Sequence, residues 1–213
     1  MEYWTAPRLW PGETVCCIGS GPSLTAGQCA QVRGRARVIA INDAWRMAPW
    51  ADVLYGCDWR WWLKHRGVPD FAGLKVTLSN SVGHLDAYPD IKVLENTGTE
   101  GFEHRPSGVR TGRNGGYQAI NLAAHMGAKR ILLLGYDMKA GADGRLHFFG
   151  DHEDWPTRPG IFEGVFLPQF SALVQPLQDK GIEVVNCTPG SALVVFHVKQ
   201  LEDALADSLQ HSA

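Results

Sequence analysis

The sequence predicts an α/β fold: a single doubly wound Rossmann-like domain over 1–213, with a mostly parallel central sheet and helices on both faces. Three observations predict it. Seven runs of strand length are apolar on both faces, which marks strands buried in a parallel sheet. Helical patterns lie between several of them, the alternation of an α/β domain. Small polar residues or glycines follow most of the runs, and in open parallel sheets ligands bind beyond the carboxyl ends of the strands.

In chain order the runs are TVCCIG (14–19), RVIAIN (37–42), DVLYGCD (52–58), LKVTLS (74–79), IKVLEN (91–96), RILLLGYD (130–137) and IEVVNCT (182–188). GYQAINLAAHMGAK reads as a helix whose apolar face is Ala119, Ile120, Leu122, Ala123 and Met126, with Gly127 as its stop. FLPQFSALVQPLQDKG reads as a second, limited or kinked by Pro168 and Pro176 and ended by Gly181. VKQLEDALADSLQHSA reads as an amphipathic helix with a frayed end. Segments 97–113 and 139–165 are long for plain connections, and such loops are usually functional lids or disordered.

Composition narrows the class. A chain of 213 residues with 45% hydrophobic content supports one sizeable core. No stretch approaches the roughly 20 apolar residues of a membrane helix, and the first residues lack a signal-like core, so a soluble cytoplasmic protein is expected. A net charge of -2 gives no global attraction to nucleic acid, leaving RGRAR (33–37) and RPSGVRTGR (105–113) as local basic clusters. Five cysteines at irregular spacing fit neither a disulfide framework nor a zinc site, and read as reduced core thiols.

The segments that follow the strands carry the chemistry. After the first comes Gly19-Ser20-Gly21-Pro22-Ser23, where two glycines admit close backbone approach and a helix N-terminus favours an anion. A tight turn into a helix is the plain alternative. The third glycine of a dinucleotide fingerprint and the lysine of a P-loop are absent. Asn42 and Asp43 are suited to a ribose hydroxyl or a base edge, or to a helix cap. Asp58 is followed by Trp59, Trp61 and Trp62, which can stack on a ring or serve as core. TGRNGGYQAI is a second glycine-bearing turn into a helix, with Asn114, Gly115 and Gly116 at its start and Arg110 and Arg113 nearby to supply charge. Asp137 and Thr188 end the last two runs. LHFFGDHEDW gathers His147, Asp151, His152, Glu153 and Asp154, read as a general acid or base, as a metal site with Asp58 or Asp137, or as a solvated acidic loop.

Taken in order, IGSGPSL, AIND, TGRNGGYQAINLAAHMGAKRILLLGYDM, HFFGDH and VVNCTPGSAL resemble the bacterial sialyltransferases that use CMP-activated sialic acid, over about positions 14–193. They are also similar to the 6-hydroxymethylpterin diphosphokinase-like family, which includes domains of flagellin glycosyltransferases. The resemblance implies that Gly19, Gly21, Pro22, Ser23 and Asn42 contact the nucleotide. It implies that Asn114 and Gly115 hold the phosphate or carboxylate side of the donor. HFFGDH matches the family's His-Tyr-Ile-Gly-His pattern with one inserted residue, making His152 the counterpart of the catalytic histidine and Asp151 its rival. Lys139 stands where one of the family's phosphate-stabilising tyrosines would be, and His147 or Phe148 occupies the region of others.

The leading expectation is therefore a glycosyltransferase that takes a nucleotide-activated donor of CMP type, with His152 as general base. Its acceptor would carry a hydroxyl, on a glycan, a modified nucleobase or a small heterocycle. The alternative is a magnesium-dependent diphosphokinase with Asp58 and Asp137 near the metal, as the second family implies. A non-catalytic module binding nucleotide or nucleic acid through 105–113 is the third reading. Domains of this type often pair, so a homo-oligomer is compatible with each.

Overall fold

The computed structural model describes residues 2–152, 156–158 and 160–210, the side chains of 208–210 excepted. Strands β1 (Thr14–Ile18), β2 (Arg37–Ile41), β3 (Val53–Tyr55), β4 (Leu74–Leu78), β5 (Ile91–Asn96), β6 (Gly108–Val109), β7 (Arg130–Leu134), β8 (Glu183–Asn186) and β9 (His197–Val198) form one nine-stranded sheet. Every pairing is parallel, in the order β6-β5-β4-β3-β2-β1-β7-β8-β9. All seven expected strands are present. The two unexpected ones, β6 and β9, are edge pieces of two residues each, too short to leave a period in the sequence.

Helices cover both faces, because successive strand residues point to opposite sides. Val15, Cys17, Ile39 and Ile41 face α3 (Gly115–His125) and α4 (Leu167–Asp179) in one apolar cluster. Cys16, Ile18, Val38 and Ala40 face α1 (Ala26–Val32), α2 (Trp59–Lys64) and α5 (Leu201–Gln210) in the other. Burial also explains the cysteines: desolvation pushes the Cys17 thiol up to about 12, leaving an inert core thiol.

Local signals set the helix limits. Thr25 and Gln28 form a capping box at α1. Asn114 caps α3 by accepting from the Gly116 and Tyr117 N–H groups, and Gly127 follows the helix with φ +100. Pro168 sits in the first turn of α4, where no N–H is lost, whereas Pro176 is inside it. A π-helical turn, Phe162–Phe166, leads into α4. No helix among the described residues is long and apolar enough to cross a membrane.

The strand order reverses between β1 and β7, so the loops leaving these neighbours part and open a crevice at their carboxyl ends. The candidate site lies there.

Candidate functional site

A cavity of about 450 Å³ fills the crevice, within the range of small-molecule sites. Gly19, Ser20, Gly21 and Pro22 line it after β1, Asn42 after β2, Cys57 and Asp58 after β3, and Tyr136 and Asp137 after β7. Arg113, Asn114, Gly115 and Gly116 line it at the start of α3. His147 and His152 close one side, and Ile161, Phe162 and Phe166 give an apolar wall. Both glycine-bearing turns thus border one space.

The glycines are required for a different reason from the one the sequence implies. A Cβ on Gly19 would lie 2.7 Å from the Gly135 carbonyl oxygen, and one on Gly21 would lie 2.0 Å from Asp137 Oδ2. Their missing side chains make room for the chain leaving β7, not for a ligand's phosphate. Most amides of the two turns are also spoken for. The N–H groups of Gly19, Gly21 and Ser23 donate to Leu134 O, Gly135 O and Asp137 Oδ1. Those of Gly116 and Tyr117 donate to Asn114 Oδ1, at 2.7 and 3.1 Å. Among the described residues, the Ser20 and Gly115 N–H groups have no protein acceptor, and these two remain for an anion. Arg113, at φ +55 and exposed, adds a guanidinium with no carboxylate partner among the described residues.

Asn42 stands in the left-handed region at φ +48, which asparagine tolerates better than most residues. Its Oδ1 is buried without a hydrogen-bond partner. An orphaned buried acceptor costs free energy, and a donor arriving with a ligand relieves that cost. Asp137 is buried, and desolvation pushes its carboxyl up against the pull of the Ser23 donors. Asp58 accepts from the Arg60 N–H at 2.9 Å as the N-cap of α2.

His147 ties its loop to the first turn. Its Nδ1 lies 3.3 Å from Ser20 Oγ, its Nε2 lies 3.2 Å from Thr157 Oγ1, and the Phe148 N–H donates to Ser20 O. His152 stands beside it, the ring centroids 5.2 Å apart. Asp151 is exposed and outside the cavity lining, where it accepts from the backbone N–H groups of His152 and Thr157 and from the Thr157 hydroxyl. Burial raises its carboxyl, but these donors outweigh it and hold the group below the ordinary carboxylate range. Glu153 and Asp154 lie outside the described residues.

Other sequence candidates stand behind the cavity wall. Asp43 is buried and accepts from Trp61 Nε1 at 2.8 Å. Ser23 serves Asp137 from outside the lining. Thr188 Oγ1 accepts the Tyr136 N–H at 2.9 Å and so pins the chain after β7. Of Trp59, Trp61 and Trp62, only Trp61 reaches the cavity, since Trp59 stacks on His84 and Trp62 donates to Gly56 O. The basic run 105–113 is largely neutralised: Arg105 pairs with Glu95 and Glu103, and Arg110 approaches Glu103 at 3.9 Å. Thr157, Arg158 and the aromatic wall of the π-helical turn were missed, because they border the cavity only through the fold of a long loop and carry no local motif. Among the described residues no group of three or more histidines, cysteines and carboxylates converges to hold a metal ion.

Burial holds His65, His125 and His147 below the ordinary imidazole value, and nearby carboxylates offset this only in part. The unfolded chain therefore binds more protons below the unfolded value near 6.5, and stability falls as pH drops through it. The melting temperature should be lower at pH 5.5 than at pH 7.5, above the range where the carboxylates titrate. A flat profile across that window would contradict burial holding these three imidazoles below their ordinary value.

No protein-family model matches the chain, and no curated protein matches it. Among solved structures it is similar to the sialyltransferase CstII from Campylobacter jejuni in complex with a substrate analogue, cytidine-5'-monophosphate. The TM-score is 0.54 at 13% sequence identity, over 89% of this chain and 85% of that one. At that identity the likeness is one of fold, a distant structural relationship that extends the Rossmann-like architecture over most of both chains.

Proposed function

We propose that the protein is a glycosyltransferase that uses a nucleotide-activated sugar donor of CMP type. One observation carries the reading: the first turn, Asn42, the start of α3 and the histidine-bearing loop all border a single cavity at the strand-order reversal. The fold neighbour's complex with cytidine-5'-monophosphate supports the choice of nucleotide. In this reading Asn42 and the turn 19–22 hold the nucleotide. The Ser20 and Gly115 N–H groups and Arg113 meet the phosphate, where hydrogen-bond donors aimed at developing charge lower the barrier. The acceptor's hydroxyl oxygen bonds to the anomeric carbon of the donor sugar. The bond from that carbon to the phosphate oxygen breaks, its electron pair leaves on the nucleotide, and His152 takes the acceptor's proton.

A second reading, magnesium-dependent diphosphate transfer, is favoured by two carboxylates, Asp58 and Asp137, on the same cavity. Magnesium typically takes one or two protein carboxylates and completes its shell with water and substrate phosphates, and there it would neutralise phosphoryl charge.

Thermal melting with CMP, UDP, GDP, ADP and ATP, each with and without magnesium, separates the two. A ligand at 100 times its Kd adds about 2.7 kcal/mol of stability, or roughly 5–10 °C for a chain of this size. The expected result is a CMP shift that does not need magnesium. A shift confined to magnesium with ATP would move the assignment to diphosphate transfer, and no shift with any nucleotide would remove both.

A further inference from the structure

Asp43 reads from the sequence as a ligand contact or a cap, and the structure gives it neither task. It is 4% exposed and directly follows Asn42, which lines the cavity. Its Oδ2 accepts from the Trp61 indole N–H at 2.8 Å, a buried side-chain hydrogen bond between residues 18 apart in sequence. Its Oδ1 lies 3.6 Å from both His65 Nε2 and Arg46 Nη1. Trp61 is 2% exposed, lines the cavity, and belongs to α2, whose N-cap is the cavity residue Asp58. The Asp43–Trp61 bond therefore joins the turn after β2 to the helix after β3. His65 packs behind it, its ring centroid 4.6 Å from that of Trp61.

We propose that Asp43 is a positioning residue that touches no ligand: its bond to Trp61 holds Asn42, on one loop, in register with Asp58 and Trp61 on the next, and so sets the shape of the nucleotide cavity. The physical basis is that β2 and β3 end in loops with no backbone ladder between them, and Asn42 occupies a sparsely populated backbone region that its surroundings must maintain. A charge-assisted hydrogen bond in a dry site is well suited to that, and removing either partner leaves the other buried and unmet. The inference rests on the cavity's being a nucleotide site.

The test is a double-mutant cycle on CMP affinity, read by calorimetry, with melting temperature recorded for each variant to establish folding. Asp43→Ala and Trp61→Phe are each expected to weaken CMP binding about tenfold, and the double variant by no more than either alone, because partners in one interaction are not additive. Asp43→Asn keeps an acceptor for the indole and should restore affinity to within about threefold of the parent. Should Asp43→Ala fail to fold, the cycle is built from Asp43→Leu and Trp61→Phe, with Asp43→Asn again as the rescue. Additive losses, or unchanged affinity in a folded Asp43→Ala protein, would overturn the inference and leave the nucleotide assignment standing. A parent protein that binds no nucleotide would instead remove that assignment and this inference with it.

Discussion

Replacing His152 with alanine is expected to lower kcat about 10²- to 10⁴-fold while CMP affinity stays within about threefold, the loss typical of a positioned base. The reasoning starts from geometry. Among the described residues two imidazoles border the cavity, His147 and His152. Both ring nitrogens of His147 lie close to hydroxyls, Ser20 Oγ at 3.3 Å and Thr157 Oγ1 at 3.2 Å, so that ring fastens the loop to the first turn. His147→Ala should therefore weaken nucleotide binding as well as turnover, whereas His152→Ala should spare binding. Full turnover in His152→Ala, with a turnover-only defect in His147→Ala, would transfer the role of base to His147.

The fold was legible because the strands of a parallel sheet are apolar on both faces. Val15 to Ile18 alternate between two buried clusters, so no residue in the run is free to be polar. The site was legible in outline for a related reason. Every cavity segment except the long loop starts at the carboxyl end of a strand or the start of a helix, and those points can be counted along the sequence. What could not be read was direction and prior engagement. Asn42 and Asp43 are adjacent and chemically similar, yet the left-handed backbone at Asn42 turns one toward the cavity and the other toward Trp61. Arg110 and Arg113 look equivalent, but Glu103 engages the first and leaves the second at the cavity. Glycine spacing likewise announced close approach at Gly19 and Gly21 without saying that the approaching group is Gly135 and Asp137.

That last point yields a large expected effect on stability. Gly21→Ala should destabilise the protein by about 3 kcal/mol, lowering the melting temperature by roughly 6–12 °C. The backbone at Gly21 is not left-handed, so the cost is one of space. An added methyl would stand 2.0 Å from Asp137 Oδ2, 2.8 Å from its Cγ and 2.6 Å from the Gly135 carbonyl oxygen. The carboxylate can swing away only by giving up the Ser23 N–H at 3.0 Å, a charge-assisted bond contributing about 1.5–3 kcal/mol, and the carbonyl belongs to backbone fixed by β7. Gly27→Ala supplies the contrast. Gly27 lies in α1, where the nearest atom to an added methyl is Thr25 Oγ1 at 3.9 Å, so the same change removes unfolded-state freedom without a clash and should stabilise by about 0.5 kcal/mol. Thermal melting of the two variants reads opposite signs if the chain leaving β7 fills the space beside Gly21. Equal and small effects would mean that the two loops at the sheet's reversal point are not in contact, and the cavity between them would lose its inner end.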